Sequence, residues 1–254
     1  DSTYAGIFSG AGSLEKTGPG DLALTGASTF TGPLVIDGGT VDTTGGGTFA
    51  DTLDATVGSA GQYIVGTDDT IHSLTNGGQA TLNASLTLAT LANRAGGTTT
   101  VNGALDATGN VLNSGELAFS TGSTGTVGGD LENGGTVSST GTLSVAGAFA
   151  NLAGGDAVLG GGSGAVGSST FGALSNAGTL AASSPLVVSG AVWNGTGATT
   201  ALNGGSAPQF GSLVNDGTVT ANDVLTVAGA YEQNAGSLTV NASATNGLPG
   251  LNTG

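Results

Sequence analysis

The sequence predicts an all-β protein, a parallel β-helix in which each coil takes about 20 residues. The first observation is a repeat: an Asn followed shortly by Gly recurs in eight steps between Asn76 and Asn234, which sum to 158 residues. The second is an alternation of apolar residues with small polar ones, which is typical of strands with one buried face. The third is that no apolar run keeps the i, i+3, i+4 spacing of a helix for three turns.

Three segments of the repeat align closely, and each begins with the pattern Leu-x-Asn-x-Gly. They start at Leu131, Leu174 and Leu213, and each reaches a second Leu 12 residues later. A looser copy starts at Leu74 with the same offset. A constant offset places the same residue at the same position of successive coils, so Leu and Val are predicted to stack into aliphatic ladders about 4.8 Å apart.

The Asn residues of the repeat are predicted to form a ladder of their own at the turns, in which each side-chain amide bonds to the next. Asn and Gly also tolerate the left-handed backbone conformation of a sharp corner, so we expect both at the corners between strands. A leucine-rich-repeat horseshoe also has units of about 20 residues, but its Asn follows two Leu-bearing turns. Here Asn stands two residues after the first Leu, which favours the β-helix. The predicted ladder residues are Asn76, Asn133, Asn176 and Asn215.

Charge excludes several classes of partner. The chain of 254 residues has 17 acidic and 2 basic side chains and a formal net charge of −15. With Lys16 and Arg94 as its only cations, it cannot neutralise a phosphate backbone, so nucleic acid is not an expected partner. Ser, Thr, Asn and Gly interrupt every long apolar run, so no window reaches the roughly 20 apolar residues of a membrane-spanning helix. We therefore expect no direct insertion of this segment into a membrane.

The N-terminal stretch carries a second, more specific pattern. It reads G-x-G-x-L-x-K-x-G-x-G-x-L-x-L-x-G from Gly10 to Gly26, followed by Phe30, Gly32 and a strand that ends in Gly-x-Val41. This pattern closely resembles the passenger-associated β-strand repeat of bacterial autotransporters. The resemblance implies a right-handed β-helical stalk on the surface of a Gram-negative bacterium, extracellular after secretion through the outer membrane. It also implies an outer-membrane translocator barrel in the full-length chain, of which this segment is the passenger.

One β-helical passenger segment is expected over residues 1–254. Its parts are the passenger-associated repeat region at 1–73, the Asn-Gly coils at 74–240 and a C-terminal segment at 241–254. The C-terminal segment lacks any cap, so we expect it to continue into further chain.

Acidic residues stand beside the only histidine in the stretch Asp68-Asp69-Thr-Ile-His72. Two carboxylates near a His resemble the site of pectin-cleaving β-helices, where they activate water and protonate the glycosidic oxygen. Those enzymes also carry an Arg-x-Lys pair for the uronate, whereas Lys16 and Arg94 are 78 residues apart here. We expect an exposed acidic corner before a strand, and no catalytic residues.

The Gly-rich run at 154–164 superficially resembles a calcium-binding nonapeptide repeat. Its Asp156 has no acidic neighbour within 20 residues on either side, whereas calcium needs several oxygen ligands. The pattern Gly161-Gly-Ser163-Gly-Ala fits a nucleophile elbow only loosely. We therefore expect this run to be a loop, and we expect no metal and no cofactor.

Trp193 is the only Trp, and it falls out of phase with the positions Phe149, Val192 and Tyr231, which the repeat predicts as buried. It also lies within the charge-free residues 157–215. An outward Trp on an uncharged wall is a candidate contact point. We expect Ser, Thr and Asn on the same wall to support side-to-side association of stalks.

The sequence favours a role in adhesion, self-association or biofilm formation. The partner is then a host or bacterial cell surface, or a second copy of the chain. The alternative is a non-catalytic spacer that presents a functional domain outside this fragment. A polysaccharide-active β-helix enzyme is a third, less favoured hypothesis.

Overall fold

The computed structural model describes residues 1–160 and 167–241. These residues form 28 strands and no helix, and hence none that could span a membrane. They wind into a parallel β-solenoid of about 12 turns with roughly 19 residues per turn, which confirms the predicted fold class. In chain order the strands β1 to β28 are Ser2–Tyr4, Leu14–Lys16, Asp21–Leu24, Leu34–Asp42, Asp54–Val65, Asp69–Thr70, Ser73–Asn76, Gln79–Leu82, Ser85–Leu88, Thr90–Asn93, Thr98–Val101, Ala104–Ala107, Val111–Asn113, Glu116–Phe119, Thr124–Val127, Leu131–Asn133, Thr136–Ser139, Thr142–Asn151, Asp156–Leu159, Ser169–Asn176, Thr179–Ala182, Leu186–Asn194, Thr199–Leu202, Gln209–Asn215, Thr218–Ala221, Thr226–Val227, Tyr231–Gln233 and Ser237–Val240.

Each coil contributes three short strand segments, which stack on the equivalent segments of the next coil. For example, β7 pairs with β10, β8 with β11 and β9 with β12, all in parallel. The segments build three walls: wall 1 contains β7, β10, β13 and β16, wall 2 contains β8, β11, β14 and β17, and wall 3 contains β9, β12 and β15. Longer strands such as β18 bend across the corner from wall 3 to wall 1.

The inward side chains of wall 1 form an apolar ladder. Its members occupy directly paired positions, and none is more than 2 % exposed. Burial of such a side chain stabilises the folded chain by about 1.5–3 kcal/mol. Tyr231, predicted as buried, is only half-buried, because β27 pairs on one side only among the described residues. The ladder is Leu74, Leu91, Val111, Leu131, Phe149, Leu174, Val192 and Leu213.

An aromatic column fills the N-terminal coils. The ring centroids are 6.4 Å apart for Phe8 and Phe30, 5.9 Å for Phe30 and Phe49, and 6.3 Å for Phe49 and Tyr63. Edge-to-face and tilted arrangements are favoured because the positive ring edge meets the negative ring face. Phe30 is the aromatic residue of the N-terminal sequence pattern, so the pattern places a ring where the neighbouring coils also supply one.

The left-handed corner positions are occupied by Gly, so the expectation that Asn takes this conformation is wrong. Gly96, Gly154 and Gly197 have φ angles of 83°, 85° and 79° at the corner between walls 1 and 2. Among the residues that the structure describes, Ala207 is the one residue other than Gly with a positive φ. The repeat Asn residues end the wall 1 strands, where the backbone is still extended and the side chain points inward.

Candidate functional site

The Asn residues of the repeat form one continuous row of amides inside wall 1. Each Nδ2 up to that of Asn194 donates a hydrogen bond to the Oδ1 of the Asn one coil further along, over 2.7 to 3.0 Å. All of these side chains are at most 1 % exposed. We call this set the amide column; its members are Asn76, Asn93, Asn113, Asn133, Asn151, Asn176, Asn194 and Asn215.

The amides of the column also bond to the backbone. Asn133 Nδ2 donates to the carbonyl oxygen of Asp156 at 3.1 Å, and Asn133 Oδ1 accepts the N–H of Gly135 at 3.2 Å. Buried polar groups that are bonded in this way avoid the desolvation penalty of a missing partner. Because these side chains are enclosed, the prediction that Asn of this wall contributes to contacts between stalks is wrong.

The column continues into Gln233 and not into Asn234, the residue that the repeat spacing selects. Asn215 pairs in register with Gln233, and its Nδ2 donates to Gln233 Oε1 at 3.0 Å. Asn234 lies exposed. A shift of one residue turns a side chain to the opposite face of a strand, so the average spacing did not identify this member.

Trp193 lies on the outer surface of wall 1 and is 41 % exposed, whereas its neighbour Val192 is buried. Its Nε1 donates to Asp216 Oδ2 at 2.9 Å. If Gly195 carried a Cβ, that atom would lie 2.5 Å from Cη2 of the indole and 2.9 and 3.0 Å from the two adjacent ring carbons. These distances are those of a point above the ring plane, so Gly195 lies against a face of the indole and not against its edge. Gly195 itself is buried, so one face of the indole packs on the chain, while Trp193 as a whole stays 41 % exposed to solvent.

Apart from Asp216 at the edge of the indole, the outward neighbours of Trp193 on wall 1 are small uncharged side chains. They come from four neighbouring segments of wall 1, bounded by Glu132 on one side and Glu232 on the other. Alanine is more frequent here than the expected Ser, Thr and Asn. We call this area the Trp193 surface; its outward residues are Ala148, Ala150, Ala173, Ser175, Ala191, Trp193, Ser212 and Val214.

The predicted acidic corner does not form a cluster around the histidine. His72 Nδ1 lies 2.7 Å from Asp54 Oδ1, and Asp54 also accepts the hydroxyl of Ser73. The hydrogen bond from Ser73, and then that from His72, lower the pKa of Asp54. Asp68 instead accepts the backbone N–H of Ser85 at 2.9 Å. The two converging carboxylates that glycoside hydrolysis needs are therefore not assembled at His72.

Asp69 is half-buried, and not at an exposed corner as the sequence predicted. Burial raises its pKa from the ordinary value of 3.8 to about 6. The N–H groups of Phe49 and Thr70, which bond to its carboxylate at 3.1 and 2.9 Å, act in the opposite direction. Phe49 belongs to the preceding coil, so one hydrogen-bond partner of Asp69 is a residue that is distant in sequence.

The substitution Asp69→Asn is expected to increase stability at neutral pH. The pKa of Asp69 is raised in the folded chain, so the folded chain binds the proton of Asp69 more tightly than the unfolded chain does. This contribution to the free energy of unfolding is fully present below about pH 4 and is lost as the pH rises through about 6. Asn keeps an acceptor oxygen without the charge. In urea unfolding followed by circular dichroism, the variant should have a higher midpoint than the parent at about pH 7.5 and an equal midpoint at about pH 4.

Asp54→Asn is the control of opposite sign. The pKa of Asp54 is lowered in the folded chain, so its stabilising contribution is present at neutral pH and is lost on acidification. This variant should have a lower midpoint at neutral pH. A gain for Asp69→Asn that is the same at both pH values would show that the carboxylate charge is not its cause.

The Gly-rich run that was predicted as a loop begins as a strand, which corrects that prediction. Asp156–Leu159 forms β19 and pairs with β17 and β21. Ala157 and Leu159 are buried because their alternation matches that of the adjacent coils. Residues 161–166, including Ser163, lie outside the described residues. Within the described ranges, no group of three His, Cys, Asp or Glu side chains is placed to hold a metal ion.

Lys16 has a structural role that the sequence reasoning did not identify. Its Nζ donates to the carbonyl oxygens of Thr17, Gly18 and Gly38 at 3.1, 2.8 and 2.9 Å. An ammonium group has three donors, and all three here bond to the backbone of two adjacent coils. A Cβ at Gly39 would lie 2.2 Å from the backbone carbonyl oxygen of Gly20, and the φ angle of Gly39 is 68°, so this position needs glycine. The Lys of the N-terminal pattern thus connects two of the first coils by hydrogen bonds to the backbone carbonyls of Gly18 and Gly38.

Comparison with known families gives a match in this same region. The family model of the passenger-associated transport repeat matches residues 14–42. These residues are strands β2 to β4 with their corners, and they include Lys16 and Phe30. No curated protein and no solved structure matches the chain.

Proposed function

We propose that this chain, which fits an autotransporter passenger β-helix, acts in adhesion, self-association or biofilm formation. The passenger repeat implies secretion to the cell surface, and we place the segment on the bacterial surface or released from it. The repeat family is typically structural, and we assign this segment no catalytic role. A translocator barrel in the full-length chain would carry it across the outer membrane.

The Trp193 surface is the observation that supports this proposal. The net charge of −15 makes two copies, or a copy and an anionic cell surface, repel each other over most of their area. Between residues 157 and 215 the chain has no charged side chain, and Asp216 places one carboxylate at the edge of Trp193, so contact there meets less repulsion than elsewhere. Trp is also among the residues that contribute most to the binding energy of interfaces.

The size of the Trp193 surface limits the strength of each contact. Four strand segments of four residues cover about 13 Å by 19 Å, or roughly 250 Å². A stable interface buries about 800 Å² on each partner. A single contact is therefore weak, and firm attachment requires many copies that act together on one cell surface.

Trp193→Asp is expected to abolish self-association. In sedimentation velocity at increasing concentration, the parent chain should form reversible dimers at millimolar concentrations. The variant should stay monomeric because it places a second carboxylate beside Asp216 and removes the apolar ring.

Leu112→Asp is the matched control for this experiment. Leu112 is 50 % exposed and occupies the same outward row of wall 1, four coils before Trp193. It lies next to Glu132, outside the Trp193 surface, so its substitution should leave the dimer unchanged. A parent chain that sediments as a monomer throughout, or an equal loss in both variants, would contradict the assignment of this surface to self-association.

A passive spacer that presents a functional domain outside this fragment is the second candidate. The unbroken amide column favours it, because such a column makes a stiff rod. Cells that display the full-length chain would then attach equally well with Trp193→Asp and with the parent sequence. For the polysaccharide-active enzyme, incubation with pectin and related uronans is the test, and cleavage would support it.

A further inference from the structure

We propose that the open ring face of Trp193, with Asp216 at its edge, binds one pyranose ring of a neutral glycan. This inference rests on the proposed adhesive function and names the chemistry of its partner. The ligand is an uncharged oligosaccharide displayed on a cell surface.

The indole offers a flat apolar platform that is already in place. Gly195 lies under one face, and the paired outward neighbours Ser175 and Val214 are both smaller than the indole. The C–H groups on one side of a pyranose are slightly positive, and the face of an aromatic ring is negative, so the two stack. The hydrogen bond from Trp193 Nε1 to Asp216 holds the ring in this orientation before a ligand arrives.

Asp216 supplies the polar contact that a sugar hydroxyl needs. Its Oδ2 accepts the indole N–H at 2.9 Å, and its Oδ1 has no hydrogen-bond partner among the described residues. A hydroxyl that donates to a carboxylate forms a charge-assisted hydrogen bond, roughly twice as strong as a neutral one. The same side chain therefore orients the aromatic ring and accepts a hydrogen bond from the bound sugar.

Charge and area together select a neutral sugar. The basic side chain closest in sequence, Arg94, belongs to a coil five turns earlier, about 24 Å away along the axis. An acidic sugar therefore meets the carboxylate of Asp216 without a cation to compensate it. The roughly 250 Å² of the Trp193 surface accommodates a few sugar units, whereas a contact with a second copy over this area is weak.

Fluorescence titration tests this proposal directly, because Trp193 is the only Trp of the chain. The probes are linear oligosaccharides of glucose, mannose and galactose, with oligogalacturonate as the acidic comparison. We expect a saturable change in emission with at least one neutral oligosaccharide at millimolar concentrations and no change with oligogalacturonate. Asp216→Asn should weaken the affinity about tenfold, because it replaces the charge-assisted hydrogen bond by a neutral one.

Saturation-transfer NMR on the sugar protons gives a readout that does not depend on Trp emission. The signal should disappear for Trp193→Ala and persist for Leu112→Ala, with circular dichroism to establish that both variants are folded. No response to any neutral oligosaccharide overturns the glycan site. If the parent chain still dimerises and Trp193→Asp still abolishes the dimer, the proposed function stands and only the glycan is wrong. If the Trp193 emission changes with protein concentration but not with added sugar, the Trp193 surface binds a second copy of the chain and not a glycan.

Discussion

The Asn133→Ala variant is expected to unfold with a free energy about 3 to 5 kcal/mol below that of the parent chain. Asn133 stands in the middle of the amide column. Its removal takes a donor from Asn151 Oδ1 and from the carbonyl oxygen of Asp156. It also takes one of several acceptors from Asn113 Nδ2 and from the N–H of Gly135. Each buried group that loses its partner costs about 1–3 kcal/mol, since no water reaches it.

Asn222→Ala is the matched control for the amide column. Asn222 takes part in a second row of amides, where it donates to Asn203 at 3.2 Å and accepts from Asn241 at 2.8 Å, but it is exposed to solvent. Water replaces these bonds, so the loss should stay within about 0.5 kcal/mol. Urea unfolding gives the free energies, and amide hydrogen exchange locates the affected coils. Equal losses in the two variants would mean that burial is not the source of the column's contribution.

Phe149→Ala is expected to cost about 3 to 5 kcal/mol. Phe149 is fully buried in the apolar ladder of wall 1, between Leu131 and Leu174, and its ring centroid lies 4.9 Å from that of Phe171. Truncation removes the transfer free energy of the ring and leaves a cavity that the rigid backbone of the adjacent coils cannot close. The same urea experiment measures the effect.

Two variants separate cavity formation from loss of an apolar surface residue. Phe149→Leu retains most of the volume and should cost about 1 kcal/mol. Leu112→Ala shortens an apolar side chain that is 50 % exposed on the same wall, and it should shift the free energy by at most about 0.5 kcal/mol. If Phe149→Ala were no more harmful than Leu112→Ala, the ladder would not be the main source of stability.

The fold class was predictable because the repeat recurs many times along the sequence, with the same spacing and the same alternation of apolar and polar residues. A Leu or an Asn that recurs about every 20 residues occupies the same place in successive coils, so spacing alone predicted the solenoid. The same phase separates Trp193 from Val192, since adjacent residues of a strand face opposite sides.

Features that depend on one particular neighbouring coil were not predictable. Asp69 accepts the backbone N–H of Phe49 from the preceding coil, and Lys16 reaches the carbonyl of Gly38, 22 residues away. The conformation of the repeat Asn was predicted wrongly because Asn is suited both to a corner and to the end of a strand, and only the pairing register decides between them. At Asp156 the abundance of Gly concealed an alternation that the adjacent coils turn into a strand.

The amide column also determines how easily the molecule can change its length. Within the column, each amide side chain bonds to the amide one coil before it and to the amide one coil after it. A duplicated coil inserted between two of them would therefore find both of these bonds. Such a duplication would lengthen the rod by about 4.8 Å and leave the packing of the other coils as it was. The length of the rod can therefore evolve in small equal increments, by duplication of a short stretch of the gene.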